Sequence, residues 1–239
     1  MTHRIAILVA VVSLGGRAHA DDAHQLAATA AFTPGVMASE DHTGYVVEST
    51  LFDGAAHDTE LDALAELPVW GPLRVVARVD NFASSDARPG AGLGVQILDE
   101  ARYGVALSAY SVYKAEGFTE PDGELESTVA AGRQLGPVHA VLDVTYGFDF
   151  DGHDRDGELA LAALVEPVRS LFAGIAGRYR DALGSQGESG VIRDFNGGAT
   201  VTYNYRAVAF SGVAGVAGVS TRTSSAYGPS ATLAIGMAF

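Results

Sequence analysis

Carboxylates are concentrated in one short stretch of the chain, residues 149–158. Carboxylate oxygens are the ligands that hard cations such as Ca²⁺ prefer. Against the EF-hand loop pattern, however, the first ligand position falls on Gly147, which has no side-chain ligand, and no flanking helices are predicted. We therefore predict a solvated acidic loop, with five candidate metal ligands: Asp149, Asp151, Asp154, Asp156 and Glu158.

His139 and Asp143 are the second candidate for chemistry. In an extended strand they share one face but lie about 13 Å apart. A catalytic base must lie about 3 Å from its partner, and no serine motif flanks this pair. We expect no enzymatic activity, and the sequence predicts no cofactor.

The first 20 residues have the three parts of a secretory signal peptide. A short basic stretch, residues 1–4, precedes an apolar run, 5–14, and an A-x-A cleavage site at 18–20. The apolar run is too short for a transmembrane helix, which needs about 20 residues. We predict that residues 1–20 are cleaved and that the mature chain begins at Asp21.

The composition argues against a disulfide-stabilised protein and against a nucleic-acid-binding protein. There are no cysteines, so a disulfide framework cannot stabilise the fold. The formal net charge is −14 and becomes −16 once Arg4 and Arg17 leave with the signal peptide, which argues against a nucleic-acid partner. No later segment has the uninterrupted apolar length of a membrane helix.

From residue 44 onward the chain alternates between apolar and polar side chains in segments of about ten residues. All eight prolines fall outside these segments, as expected because proline cannot donate to a strand ladder. The twelve predicted strands are 44–53, 58–67, 73–82, 90–99, 103–114, 123–135, 138–150, 157–166, 169–181, 197–206, 208–219 and 230–239.

The predicted connections alternate between short and long. The short ones are near 68–72, 100–102, 136–137, 167–168 and 206–207, and the long polar ones are 83–89, 115–122, 151–156, 182–196 and 220–229. Short turns therefore lie at one end of the sheet and long loops at the other.

The two faces of a predicted strand differ in polarity. In strand 138–150, Leu142, Val144 and Tyr146 share one face, whereas Asp143 and Thr145 share the other.

Aromatic residues are grouped at the two ends of the predicted strands rather than in the middle. The group at the short turns is Tyr45, Trp70, Tyr103, Tyr203, Tyr205, Phe210 and Phe239, and the group at the long loops is Tyr113, Tyr146, Phe148, Phe150 and Tyr179. A soluble β-sandwich would show the same alternation, but its core would carry aromatics in mid-strand. Two aromatic belts around an aliphatic band are typical of a membrane barrel.

The last nine residues carry the family resemblance. Leu233, Ile235, Met237 and Phe239 lie on one side of an extended strand, and the residues between them are all small. This tail resembles the closing strand of bacterial outer-membrane β-barrels, whose C-terminal aromatic residue is read by the barrel assembly machinery. The resemblance implies an all-β, antiparallel transmembrane β-barrel of about twelve strands, with periplasmic turns and extracellular loops.

This reading divides the chain into a signal peptide (1–20), a periplasmic segment (21–42) and an outer-membrane barrel (43–239). The implied partners are outer-membrane lipid, lipopolysaccharide and the barrel assembly machinery. Outer-membrane phospholipases of twelve strands carry a His-x-Ser-Asn pattern, which this sequence lacks.

Charged side chains are predicted to face the barrel interior. The set on the strands next to the 68–72 turn and on strand 169–181 is Asp62, Glu66, Arg74, Arg78, Asp80, Arg178 and Arg180; the other members are Glu60, Arg102, Lys114, Glu124, Glu126, Asp143, Glu158, Glu166 and Arg206. Asp62, Glu66, Arg74 and Arg78 are expected to form one cross-strand cluster. The set is either a salt-bridged filling or the lining of a polar conduit.

Three functions remain open on the sequence. The first is a porin-like channel for small solutes. The second is a non-conducting structural or surface-interaction barrel, and the third is a secreted soluble β-sandwich that binds a ligand.

Overall fold

The computed structural model describes residues 44–52, 59–118, 122–150, 154–183, 191–205 and 208–238; for 44–52, 59–60 and 237–238 it describes the backbone alone. Within these ranges there are twelve strands and one short helix. The strands are β1 (Gly44–Phe52), β2 (Thr59–Trp70), β3 (Leu73–Asp80), β4 (Arg88–Leu98), β5 (Ala106–Ala115), β6 (Gly123–Leu135), β7 (Val138–Asp149), β8 (Arg155–Val168), β9 (Leu171–Ala182), β10 (Val191–Tyr205), β11 (Val208–Thr221) and β12 (Ser225–Ala238). The helix, α1, is Glu100–Tyr103.

The strands form a closed antiparallel barrel in which each strand pairs with the next along the chain. β1 closes the barrel by pairing with β12, from Gly44 opposite Ala238 to Phe52 opposite Ser230. The predicted fold class and the strand count are thus confirmed. No helix in the described part of the chain is long and apolar enough to span a membrane.

Period-two alternation separates an outer from an inner face on every strand whose side chains are described. On β12, Leu233 and Ile235 point outward and are exposed, whereas Thr232 and Ala234 point inward and are buried. On β7, Leu142 and Val144 are exposed on the outside and Asp143 is buried on the inside. The outer surface is therefore aliphatic, and the polar side chains are turned into the barrel.

Three long connections are shorter than the sequence predicts. β10 begins at Val191, so residues 191–196 belong to the sheet rather than to a loop, and β8 begins at Arg155. β11 and β12 are joined by a three-residue turn, 222–224, closed by a hydrogen bond from the Thr221 N–H to the Ser224 carbonyl. The hydrogen-bonded pairing between neighbouring strands continues through polar and Gly-containing segments whose sequence alone predicts a loop.

The expectation that no proline lies within a strand is wrong for four of the eight prolines. Pro68 and Pro167 lie beside register shifts in β2 and β8, where the ladder is already interrupted. Pro89 is the second residue of β4, opposite Val79. Pro229 lies in β12 opposite Val216, because β12 starts five residues earlier than predicted.

The connection between β4 and β5 contains α1 instead of the start of a strand. Asp99 caps the helix by accepting a hydrogen bond from the Ala101 N–H at 2.7 Å, and Gly104 ends it in the left-handed region, at φ 72°. Arg102 lies on this helix, is exposed and stacks over the Tyr103 ring. The prediction that Arg102 faces the interior is therefore wrong.

Candidate binding cavity

The inner face of the barrel divides into an apolar and a charged region. Towards the middle and the short-turn end, apolar side chains form buried clusters: Leu64, Val76, Val112, Ala209 and Ala234 in one, and Val141, Leu164 and Phe172 in another. Val76 and Phe172 are 0% exposed. A side chain on the inner wall with no exposure is covered by neighbouring side chains, so these positions of the inner wall are packed and not in contact with water.

Lys114 of β5 is the centre of the first charged cluster. Its Nζ lies 2.6 Å from Glu124 Oε1, 3.3 Å from Asp80 Oδ2, and within hydrogen-bond distance of Glu126. All four side chains are largely buried. Charge-assisted hydrogen bonds to Asp80 and Glu126, together with the nearby charge of Glu124, compensate the desolvation of the buried ammonium group.

Two arginines complete this cluster. Arg78 of β3 contacts Asp80 through Nε and Glu126 through Nη1, the latter at 3.2 Å. Arg88 of β4 lies 3.7 Å from Glu124. The three cations match the three carboxylates in number, and we call this set the β3–β6 cluster.

Glycines on β4 make room for the β3–β6 cluster. Gly90, Gly92 and Gly94 occupy successive inner-face positions, so β4 has no side chain there. A Cβ atom at Gly90 would lie 2.9 Å from Val112 Cγ1 and 3.0 Å from Lys114 Cγ. The bare inner face of β4 therefore lets the β5 side chains lie across it towards β3.

A second charged cluster lies on the opposite side of the barrel, on β8, β9 and β10. Arg180 pairs with Asp156, and Arg178 lies 4.0 Å from both Glu158 Oε2 and Asp194 Oδ1. These five residues are the β8–β10 cluster. Its carboxylates outnumber its cations, three to two.

The two clusters face one cavity of about 210 Å³ in the long-loop half of the lumen. Its charged lining consists of Asp62, Arg78, Asp80, Arg88, Lys114, Glu126, Asp143, Glu158, Arg178, Arg180 and Asp194. Tyr110 and Leu64 lie where the cavity meets the apolar clusters.

The structure divides the four charges that the sequence places in one cluster. Arg74 and Glu66 are buried together, with Nη1 and Oε2 3.9 Å apart. Arg78 instead joins the β3–β6 cluster, and Asp62 accepts the Asn81 N–H at 2.9 Å. The chain turns after Asp80, so Asp62 meets the start of the loop, and Arg78 reaches carboxylates of β3 and β6.

Sequence reasoning missed Asp194, which it places in a loop, and did not single out Lys114. Asp194 enters the site because β10 begins at Val191. Alternation extended backward from β10 would have placed Asp194 on the same face as Thr200 and Thr202. The central position of Lys114 has no sequence signal, since its partners lie on two other strands, β3 and β6.

The acidic stretch does not form a metal site in the described part of the chain, where no group of three potential ligands is found. Asp156 and Glu158 lie on the inner face of β8 and contact arginines. The backbone N–H of Asp149 donates a hydrogen bond to the backbone carbonyl of Asp154. Asp151 lies outside the described residues, as do Arg206, Phe239 and residues 1–43.

Comparison with solved structures decides the fold family. The NanC porin matches with a TM-score of 0.55 at 7% sequence identity, over 81% of this chain and 98% of that chain. The KdgM porin in complex with disordered oligogalacturonate matches with a TM-score of 0.51 at 9% identity, over 83% and 99%. The fold is that of a bacterial outer-membrane β-barrel.

Sequence-level comparison adds nothing to this, since no family model and no curated protein matches the chain. A looser structural match, with a TM-score of 0.45 at 8% identity, is to the outer membrane channel DcaP of Acinetobacter baumannii. It covers 77% of this chain, which spans 63% of the DcaP chain.

The outer face of the barrel carries aromatic residues near both ends. Trp70, Tyr103, Tyr203, Tyr205 and Phe210 are exposed at the short-turn end. At the long-loop end, Phe195 and Tyr227 join the predicted group, and their rings lie 6.0 Å apart over Gly218. Exposed leucine, isoleucine and valine occupy the band between the two ends.

Proposed function

We propose that the chain is an outer-membrane β-barrel whose lumen is closed to solutes and whose long-loop end presents a charged cavity. The observation that carries this proposal is the complete burial of inner-face side chains such as Val76 and Phe172. A conducting pore would leave a continuous path of water-accessible inner wall. The cavity of about 210 Å³ lies in the long-loop half only.

The outer-membrane location is supported by the porin matches and by the exposed aliphatic band. In this proposal the band contacts lipid, the upper aromatic belt contacts lipopolysaccharide, and the C-terminal strand is read by the assembly machinery. The signal peptide at 1–20 supplies export. The expectation that the chain is not an enzyme stays a prediction.

A porin-like channel for small solutes is the second candidate. It is favoured by the match to porins over 98–99% of their chains and by the polar lining of the cavity. A twelve-stranded barrel is intermediate in size between filled small barrels and open porins. In this alternative the apolar clusters are a gate that opens.

Location is tested by fractionation. The protein should stay in the outer-membrane fraction after carbonate washing and should migrate differently on a semi-native gel before and after boiling. Recovery in the soluble periplasm or in the medium would contradict a membrane barrel of either kind.

Arg78→Ala separates the closed barrel from the channel. In a closed barrel this change leaves Asp80 and Glu126 short of a cation, and the free energy of unfolding should fall by roughly 1–3 kcal/mol without any conductance. In a channel it should change ion selectivity in a planar bilayer. Arg193→Ala, which removes a cation from the outer face, is the matched control.

A further inference from the structure

The two charged clusters that face the cavity are paired to different degrees. In the β3–β6 cluster, Lys114 is 5% exposed and makes close contacts with its carboxylates. In the β8–β10 cluster, Arg178, Glu158 and Asp194 are 25–28% exposed, and the separations of Arg178 from the two carboxylates are 4.0 Å. Arg78 and Arg88 of the first cluster are 26% and 33% exposed, so the two clusters differ in the contact distances of Lys114 and Arg178 and not in exposure as a whole.

Within the described residues, the β8–β10 cluster leaves one oxygen of Asp194 without a hydrogen-bond donor. An N–H···O hydrogen bond has an N···O distance of about 2.7–3.2 Å, so Arg178 attracts Glu158 and Asp194 without hydrogen-bonding to them in these pairs. Asp194 Oδ1 is buried and has no hydrogen-bond partner among the described residues. A buried acceptor of this kind is costly unless a donor reaches it.

We propose that the β8–β10 cluster binds a small zwitterionic solute of the α-amino acid type. The carboxylate of the solute lies against the guanidinium groups of Arg178 and Arg180, and its ammonium group donates to Asp194 and Glu158. This inference rests on the proposed function in that it takes the cavity at the long-loop end as the working part of the barrel.

The alternation of charge in the cluster selects a ligand that carries both signs. A simple anion placed at Arg178 would meet Glu158 and Asp194 within about the same distance, and a simple cation at Asp194 would meet Arg178. Each would leave one buried charge worse compensated than before. A zwitterion whose carboxylate and ammonium groups are attached to one carbon atom pairs with the arginines and with the carboxylates of the cluster at the same time. The cavity of about 210 Å³ accommodates a solute as small as an α-amino acid.

The test uses three probes of nearly equal size that differ in charge: alanine, propionate and ethylammonium. Binding to the purified, folded protein in detergent micelles is measured by titration calorimetry at pH 7 and constant ionic strength. Alanine should bind at least roughly tenfold more tightly than either singly charged probe, because only alanine satisfies both halves of the cluster. Equal binding of the three probes, or no binding of alanine, would overturn the proposal.

Variants locate the site. Asp194→Asn should weaken alanine binding roughly tenfold and improve the relative binding of propionate, whereas Arg178→Gln should weaken alanine and improve ethylammonium. Opposite shifts in probe preference cannot arise from misfolding alone. Arg193→Gln is the matched control, because Arg193 pairs with Asp181 on the outer face and is 61% exposed; it should leave all three affinities unchanged.

Conductance measured on the same preparation separates this inference from the proposed function. Alanine binding to a barrel that is silent in a planar bilayer supports both. Alanine binding to a conducting barrel overturns the closed lumen and leaves the zwitterion site standing. A silent barrel that does not discriminate among the probes overturns the zwitterion site alone.

Discussion

At the scale of single residues, Lys114 is the cation on which the cavity wall depends most. It is buried among Asp80, Glu124 and Glu126, which come from β3 and β6. The ion pairs formed by Arg78 and Arg88 share these same carboxylates. Loss of the lysine would therefore leave a partly compensated group of like charges in a poorly hydrated space.

We predict that Lys114→Ala lowers the free energy of unfolding by roughly 3–5 kcal/mol, because removing one partner leaves buried carboxylates without their cation. Urea unfolding in lipid vesicles, followed by heat-modifiable gel mobility, measures the change.

The control for Lys114→Ala is Arg193→Gln, which removes an exposed ion pair with Asp181 and should cost less than about 1 kcal/mol. Triple replacement of Asp80, Glu124 and Glu126 by their amides should restore much of the stability lost in Lys114→Ala. If Lys114→Ala lowers the free energy of unfolding no more than the control does, the cavity wall is hydrated and the β3–β6 cluster behaves as a surface network of ion pairs.

At the scale of elements, β4 acts as a spacer strand. Its inner face has no side chain from Gly90 to Gly94, whereas its outer face carries Leu93, Val95 and Ile97. Side chains of β3 and β5 therefore approach each other across it, and Val76 and Val112 belong to one buried cluster.

We predict that Gly92→Ala disrupts the pairing of β4 with β5. An added Cβ would overlap the Ser111 carbonyl oxygen and crowd the Val112 backbone, neither of which can move as a flexible side chain could. The cost should be roughly 1–3 kcal/mol or more, measured by urea unfolding in vesicles.

Gly212→Ala on β11 is the matched strand glycine. Its nearest neighbour would be Leu233 Cδ2 at 3.4 Å, an ordinary contact, so this change should be nearly neutral. Equal stability of the two variants would indicate that the inner face of β4 is more open than the structure has it.

At the scale of the whole molecule, one strand pairing closes the barrel. β12 contributes Ser230–Ala238 to β1 and Ser225–Met237 to β11, so the C-terminal strand is hydrogen-bonded on both sides. Closure removes every free strand edge, which satisfies the backbone polar groups that lipid cannot.

We predict that Phe239→Ala reduces assembly of the barrel, because the C-terminal aromatic residue of such barrels is read by the assembly machinery. Unfolded chain should accumulate in the periplasm and the heat-modifiable form should decrease, both measured on cell fractions. Leu233→Ala, an outward-facing change on the same strand that keeps the terminal aromatic, should assemble nearly normally. Normal assembly of Phe239→Ala would mean that the C-terminal resemblance is accidental.

The sequence by itself predicted the barrel, with a soluble β-sandwich as the alternative. The alternation of apolar and polar residues assigns each side chain to one of two faces, since neighbouring side chains on a strand point to opposite faces, and the grouping of aromatic residues at the strand ends favours the barrel. The spacing of turn signals then sets the number of strands, and the tail with Leu233 and Ile235 indicates the closing strand. Strand ends were less well determined, because Pro229 and the polar residues at 191–196 resemble loop sequence although the ladder extends through them.

Only the tertiary structure decided which charges meet and which side chains of the inner wall are covered. Arg78 and Glu126 are 48 residues apart, and Lys114 and Asp80 are 34 apart, so no local pattern relates them. Their contact depends on the curvature of the sheet and on the bare inner face of β4. The burial of Phe172 likewise depends on what lies in front of it inside the barrel, and period-two alternation specifies only the face on which a side chain lies.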